Sequence, residues 1–235
     1  LADCTDDLNR AATGFDSGLE DTKLALTAIS DDGFVVETKS AYAPEMLTAF
    51  IKLNGATVGV VANRTKVYDD NMEVVAEYEP KLTANGCDKA AQFVYFCDDF
   101  SIPVLTLTNA TGFKACKCQE KRGAKATARL TYAFASATVP KVNVIIGEAF
   151  GSAYVTMNSK SIGADMVFAL PTAKVGMMDA NAAASVLAEK TAEYAQLQGS
   201  VTKAASRGYV DNIVEPVDVR KYVIGALEML YTKRQ

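Results

Sequence analysis

The chain has 235 residues, of which 49% are hydrophobic and 22% are charged, and its formal net charge is -4. This length and composition favour one substantial hydrophobic core and exclude a disordered or fibrous protein, so we expect a single domain over residues 1–235. The acidic balance argues against nucleic acid as the main partner, because binding to phosphates needs a clustered basic surface.

The residue types that are missing limit the chemistry. The chain has no histidine, which excludes the commonest general base, the commonest metal ligand and any Ser-His or Cys-His nucleophile pair. The five cysteines are odd in number and irregularly spaced, a pattern that favours reduced thiols in the cytoplasm. Cys116 and Cys118 could bind zinc, but no second pair of ligands completes a tetrahedral set, and we expect no metal site.

The sequence shows neither a membrane segment nor a secretion signal. It has no run of about 18 apolar residues, and its start has no basic-then-apolar pattern. We therefore expect a soluble cytoplasmic protein with no membrane partner. The first residue is Leu1 rather than methionine, as expected of a fragment of a longer chain.

The first third of the chain gives several local signals in order. Residues 1–18 are polar and irregular, which predicts a surface arm. A short helix is predicted over Glu20–Ile29 and a strand over Phe34–Thr38. Two β-rich runs within Leu47–Val61 are joined by Asn54-Gly55, the dipeptide that two-residue hairpin turns prefer. A β-hairpin is therefore expected here.

The stretch Asn85–Phe100 predicts an amphipathic helix, because apolar residues recur there at helical spacing. Pro140 should end the helix that is predicted over Glu120–Thr138. The further predicted elements are a strand over Val104–Thr108, a helix over Glu120–Thr138, strands over Met166–Ala169 and Val175–Met178, a helix over Ala180–Gln198, a turn and strand over Gly208–Pro216, and a last helix over Val219–Lys233. A basic face on the helix over Glu120–Thr138 is either solvated or a contact for phosphate; it comprises Lys121, Arg122, Lys125 and Arg129.

The stretch Lys141–Ser159 joins a strand to a helix through small residues. A β-branched run over Val142–Ile146 predicts a buried strand, which we expect to break at Gly147 and to lead through Gly151 and Ser152 into a helix. Such a turn leaves backbone N–H groups without intrahelical partners, all pointing one way. It forms either an oxyanion cradle or simply a tight connection.

Four segments resemble the C-terminal half of the carboxyltransferase β chains of biotin-dependent acyl-CoA carboxylases of the propionyl-CoA type. They are CDKAAQFVYFCDDFSIP at 87–103, the Gly151-Ser152-Ala153-Tyr154 turn, GADMVFALPTAKVGMM at 163–178 and RGYVDNIVEP at 207–216. Val61-Ala62-Asn63, Gly112-Phe113 and Gln119-Glu120 also match. The chain departs from the family with Cys87 for a serine, Asn109 for an acid, Thr111 for a proline, Ser152 for the second glycine and Leu170 for a tryptophan.

The resemblance implies an α/β crotonase-like fold, a spiral of ββα units, and the transfer of a carboxyl group between carboxybiotin and the α-carbon of an acyl-CoA. It implies that backbone amides at the turn, formed by Gly151, Ser152 and Ala153, are catalytic and face the biotin ureido oxygen. Gly112 and Phe113 would line the same pocket. Tyr154 and Val155 would lie at the substrate side, Val155 near the acyl end.

The resemblance also implies partners. These are an N-terminal carboxyltransferase half or subunit, a biotin carboxyl carrier protein that brings the biotin, a biotin carboxylase, and further copies in an oligomer. Two alternatives remain open: a stand-alone acyl-CoA hydratase or decarboxylase of the same fold, and a non-catalytic structural subunit. Glu148 and Asp165 flank the turn, but the sequence does not set their geometry as an acid/base pair.

Overall fold

The structure, a computed structural model, describes residue 4 and residues 6–69, 71–187 and 191–233. Its strands are β1 (Val35–Thr38), β2 (Met46–Leu53), β3 (Ala56–Asn63), β4 (Lys66–Tyr68), β5 (Val74–Glu77), β6 (Lys81–Leu82), β7 (Val104–Ala110), β8 (Gly112–Phe113), β9 (Lys141–Phe150), β10 (Met166–Ala169), β11 (Lys174–Gly176) and β12 (Asn212–Ile213). Its α-helices are α1 (Thr22–Ile29), α2 (Ala84–Asp99), α3 (Lys117–Ser136), α4 (Gly151–Thr156), α5 (Ala180–Leu187), α6 (Thr191–Gln198), α7 (Val201–Ser206) and α8 (Val219–Met229).

The predicted hairpin is formed by β2 and β3. These strands pair antiparallel along their whole length, from Met46 opposite Asn63 to Leu53 opposite Ala56. Asn54 and Gly55 both have positive φ, +51° and +71°, as the two central residues of a type I′ turn require. The hairpin is therefore confirmed, and it delivers Asn63 to the far end of β3.

The main sheet is mixed, and its parallel part carries the candidate site. The strand order is β1-β2-β3-β7-β9-β10-β12, with β11 paired to the second half of β9. The contacts β1-β2 and β2-β3 are antiparallel, whereas β3, β7, β9, β10 and β12 run parallel. The carboxyl ends of β3, β7 and β9 therefore meet at one edge, the usual place for ligands on parallel sheets.

Strand β9 corrects the prediction of a break at Gly147, because it continues to Phe150. Its pairing with β7 shifts in register between Thr108 and Ala110, so that β9 has extra residues opposite Asn109. This bulge holds Gly147 inside a strand, next to the Asn109 side chain. Such irregularities are typical of strands beside functional sites.

Helices cover both faces of the sheet. Helices α1 and α8 contribute to one buried cluster, and α2 and α3 pack on the opposite face. The predicted apolar positions of α2 are all buried; they are Ala90, Phe93, Val94 and Cys97. The expected surface arm is wrong for its second half, because Ala12 and Phe15 are buried in the first cluster.

Several helix boundaries differ from those predicted. Helix α3 begins at Lys117 and ends at Ser136, and α8 ends at Met229. The single helix expected over Ala180–Gln198 is described as α5 and α6, and residues 188–190 lie outside the described residues. Within the ranges given above, no helix has the length and apolar character needed to cross a membrane.

Candidate active site

The N-terminus of α4 presents two backbone donors. Gly151 has a φ of +57°, and a Cβ atom there would lie 3.0 Å from the Met177 carbonyl oxygen, so a glycine suits this turn. Ser152 and Ala153 follow in the first turn, where amides have no carbonyl one turn back to accept their hydrogens. No hydrogen bond joins these two amides to the side chains or loops of the described residues, and Phe150 supplies no side-chain cap.

The other end of α4 is fixed by a buried polar network. The Asn143 side-chain amide donates to the carbonyl oxygens of Met157 and Asn158, at 3.2 and 3.0 Å. Its oxygen accepts from the Thr108 hydroxyl at 2.8 Å, and the Asn158 amide donates to the Thr106 hydroxyl at 3.0 Å. All five residues are buried. The Asn158 side-chain oxygen has no hydrogen-bond partner among the described residues, but these four hydrogen bonds tie the C-terminal end of α4 to β7 and β9.

A second set of polar contacts runs along the carboxyl edge of the sheet. The Asn63 side-chain oxygen accepts the Asn109 backbone N–H at 2.9 Å, and the Asn109 side-chain oxygen accepts the Glu148 backbone N–H at 3.1 Å. A Cβ atom on Gly147 would lie only 2.7 Å from that Asn109 oxygen. Asn109, which replaces the family's acid, therefore links its own strand to β3 through its backbone N–H and to β9 through its side chain.

Glu148 and Asp165 flank the turn in the sequence but lie far apart in the structure. The Glu148 carboxylate pairs with Lys174 at 2.9 Å near the carboxyl end of β9. Asp165 accepts the backbone N–H of Lys141, the first residue of β9, at 2.8 Å. Seven residues of extended strand span about 23 Å. The two carboxylates therefore do not form an acid/base pair.

Gly112 and Phe113 are brought next to α4. They form β8, which pairs in parallel with β6 and lies against α4. A Cβ atom on Gly112 would meet no atom within 4 Å, and the Phe113 ring is 39% exposed. Phe113 also lines a cleft of about 270 Å³ that continues along α3 past Gln119 and Gly123. An open surface thus lies beside the two free amides.

Tyr154 and Val155 occupy different surroundings from the amides that precede them. The Tyr154 side chain is 7% exposed and packs in a hydrophobic cluster with Ile145 and Val201. Burial raises the pKa of its hydroxyl to about 12, and that hydroxyl has no hydrogen-bond partner among the described residues. Val155 is half-buried, and its carbonyl oxygen accepts the Ser159 hydroxyl at 2.9 Å. The ligand contacts expected of both residues stay predictions.

The basic face of α3 is partly used within the protein. Arg122 and Arg129 both pair with Asp88 of α2, at 3.2 and 2.6 Å. Lys121 and Lys125 are exposed. Two of the four basic residues therefore hold α3 against α2.

Known proteins are similar to this chain in sequence and in fold. The sequence profile of the carboxyl transferase domain matches residues 19–235. The methylmalonyl-CoA carboxyltransferase 12S subunit of Propionibacterium freudenreichii subsp. shermanii is 37% identical over 231 residues, 92% of this chain and 42% of that protein. The propionyl-CoA carboxylase beta chain of Saccharopolyspora erythraea is 38% identical over 235 residues, 92% of this chain and 41% of that protein.

A solved structure agrees with these relatives. The transcarboxylase 12S crystal structure with hydrolysed methylmalonyl-coenzyme A bound matches with a TM-score of 0.88 at 33% identity, over 100% of this chain and 47% of that one. The crotonase-like fold is thereby confirmed. The chain spans less than half the length of the relatives it matches. Because the domain profile covers residues 19–235, the chain belongs to the carboxyl transferase domain family.

Proposed function

We propose that this chain is the biotin-side half of an acyl-CoA carboxyltransferase. It would move a carboxyl group between carboxybiotin, held on a partner carrier protein, and the α-carbon of an acyl-CoA. The single observation that carries this proposal is the pair of unpartnered amides at Ser152 and Ala153 beside the open surface at Gly112. Relatives named for methylmalonyl-CoA and propionyl-CoA favour a short branched or linear acyl group.

The residues present fit a biotin ring. A planar cyclic urea has a carbonyl oxygen that accepts two hydrogen bonds and flat faces that pack on apolar surface. The amides of Ser152 and Ala153 supply two donors, and Gly112 leaves the space above β8 open. The half-exposed Phe113 ring supplies an apolar wall. When bound, carboxybiotin would supply the carboxyl group that is transferred.

The chain's own contribution would be electrostatic. The Ser152 and Ala153 amides would donate to a carbonyl oxygen on which negative charge develops, and loss of one such donor costs about 3 kcal/mol of barrier. Backbone donors need no titrating group, which suits a chain without histidine. The network of Asn143 and Asn158 would keep the amides in place. Gly151 would shape the turn, and Val155 would lie toward the acyl end.

A half-site of this kind needs partners. The chain spans less than half of its relatives, so we infer that an N-terminal carboxyltransferase half, as a segment or a subunit, completes the site. A biotin carboxyl carrier protein and a biotin carboxylase would deliver the carboxyl group. The transcarboxylase 12S protein assembles as a hexamer, which supports an oligomer here too. The unpaired state of all five cysteines supports a cytoplasmic location.

The test is biotin-dependent decarboxylation of methylmalonyl-CoA, measured for the chain alone and with its N-terminal half restored. Activity is expected only in the restored enzyme. Replacing Ala153 with proline deletes one amide hydrogen at the third residue of α4, where the amide has no carbonyl partner within the helix. The rate should fall by about 10² to 10³.

The matched control is Ser152→Ala, which keeps both amides and removes an exposed hydroxyl. It should retain near wild-type activity. An unchanged rate for Ala153→Pro would refute the role of the amide. Turnover of the acyl-CoA by the isolated chain without biotin would favour a self-contained hydratase or decarboxylase. An inactive restored complex would favour a structural subunit.

A further inference from the structure

Two thiols lie side by side at the start of α3. The Sγ atoms of Cys116 and Cys118 are 3.1 Å apart, and neither side chain is buried. Cys116 has an extended backbone, with φ -158° and ψ 160°, and α3 begins directly after it. Only Lys117 separates the two cysteines in the chain. The proposed transfer reaction uses neither thiol.

Their surroundings favour a reactive thiolate. The hydrogen bond with Cys118, followed by one from the Gln119 backbone and the nearby charge of Lys114, lowers the pKa of the Cys116 thiol below its ordinary value. The same contact raises the pKa of Cys118, so one thiol of the pair ionises first. Burial instead raises the pKa of Cys87 and of Cys97 to about 12. Thiolate character and exposure together determine cysteine reactivity.

Metal binding is a poorer explanation of the pair. Across the described residues, no three or more cysteine, aspartate or glutamate side chains gather closely enough to hold a metal ion. Zinc sites in proteins normally take three or four such ligands. The two thiols also line an open cleft of about 250 Å³ with Lys81 and Gln119, through which a small reagent can approach.

We propose that Cys116 and Cys118 form a redox-active dithiol that is oxidised to an intramolecular disulfide by small-molecule disulfides. The Cys116 thiolate attacks one sulfur of the oxidant and expels the first thiolate, which leaves a mixed disulfide. Cys118 then loses its proton and attacks the Cys116 sulfur, expelling the second thiolate. The dithiol loses two electrons and two protons, and the oxidant becomes two thiols.

The position of the pair would couple its redox state to the neighbouring helix. The Gln119 backbone N–H donates to the Cys116 carbonyl oxygen at 2.9 Å. The Gln119 side chain accepts the backbone N–H of Ala84, the first residue of α2. A disulfide closing a ring across one residue demands specific geometry. Gln119 thus connects the cysteine pair to the start of α2 through its backbone and its side chain.

The experiment titrates the full chain with glutathione buffers from reduced to oxidised, stops the exchange with acid, and blocks the remaining free thiols with N-ethylmaleimide before digestion. Trypsin then cuts after Lys117, between the two cysteines, so the resulting peptides remain joined only through a disulfide. We expect joined peptides, two hydrogens lighter than their sum, to appear as the buffer becomes oxidising. Wild-type protein should carry little glutathione on Cys116, because Cys118 resolves the mixed disulfide.

Matched variants separate the role of Cys116 as the attacking thiol from the role of Cys118 as the resolving thiol. Cys118→Ser should accumulate glutathione on Cys116, because no resolving thiol remains. Cys116→Ser should give no joined peptides and should carry glutathione only on Cys118, because the attacking thiol is gone. Cys4→Ser should behave as wild type. Glutathione that persists on wild-type Cys116 as it does in Cys118→Ser, or peptides that remain separate in fully oxidised glutathione, would overturn the proposal.

Discussion

Replacing Gly147 with alanine probes the polar contacts that join β3, β7 and β9. The new Cβ atom would lie 2.7 Å from the Asn109 side-chain oxygen and 2.8 Å from its Cγ atom. Both distances are shorter than real side-chain contacts, so the Asn109 side chain must move. It would then lose the hydrogen bond that it accepts from the Glu148 backbone at 3.1 Å.

Two opposing effects determine how much Gly147→Ala changes the free energy of unfolding. An unsatisfied, partly buried amide costs about 1–3 kcal/mol. Alanine reduces the entropy of the unfolded chain relative to glycine, which returns about 0.5–1 kcal/mol. From the middle of each range, the free energy of unfolding of Gly147→Ala, measured in urea, should fall by about 1 kcal/mol. The control is Gly123→Ala in α3, where no atom lies within 4 Å of the new Cβ. It should raise stability by about 0.5–1 kcal/mol.

A double-mutant cycle isolates the cause. In an Asn109→Ala background the obstructing side chain is gone, so Gly147→Ala should cost little or become stabilising. The coupling between the two positions should then reach about 1 kcal/mol. If Gly147→Ala is as stable as the wild type, or if its cost is the same in both backgrounds, the Asn109 contact does not explain the glycine.

Two further substitutions test buried charges. Arg220 is fully buried and lies 2.7 Å from Asp31. Arg220→Met leaves this buried carboxylate without its charged partner, although the backbone N–H groups of Asn54 and Gly55 still donate to it, so the unfolding free energy should fall by about 3 kcal/mol. The neighbouring exposed Lys221→Met should cost under about 1 kcal/mol, and equal losses would contradict this. Burial lowers the pKa of Lys89 from 10.5 to about 8. Between these two pH values the unfolded state binds more protons than the folded state, so the contribution of Lys89 to the free energy of unfolding rises with pH. Lys89→Met should remove that rise between pH 8 and 10.5 in urea unfolding curves, and an unchanged pH dependence would refute it.

Local patterns predicted the elements whose structure depends on neighbouring residues. The Asn54-Gly55 turn specifies its own positive φ angles, so the hairpin could be found from the sequence alone. The apolar spacing on α2 likewise predicted which of its residues are buried. The resemblance to the carboxyltransferase family supplied the fold, which no local pattern specifies.

The parts of the site that sequence reasoning missed depend on register between distant strands. Asn109 meets Gly147 only because β7 and β9 pair with a bulge, and no local pattern predicts that pairing. Asn143 lies inside an apolar run, where a polar residue at a buried strand position is a signal for an internal partner.

The separation of Glu148 from Asp165 limits what this half of the site does by itself. Amides at α4 stabilise negative charge on an oxygen, but they do not accept a proton from carbon. The chain has no histidine, and its two candidate carboxylates lie at opposite ends of β9. In the proposed half-site, the proton acceptor would come with the substrate or with a partner. The proposed half-site requires only that the chain stabilise negative charge. A self-contained hydratase would also need a general base within the same chain.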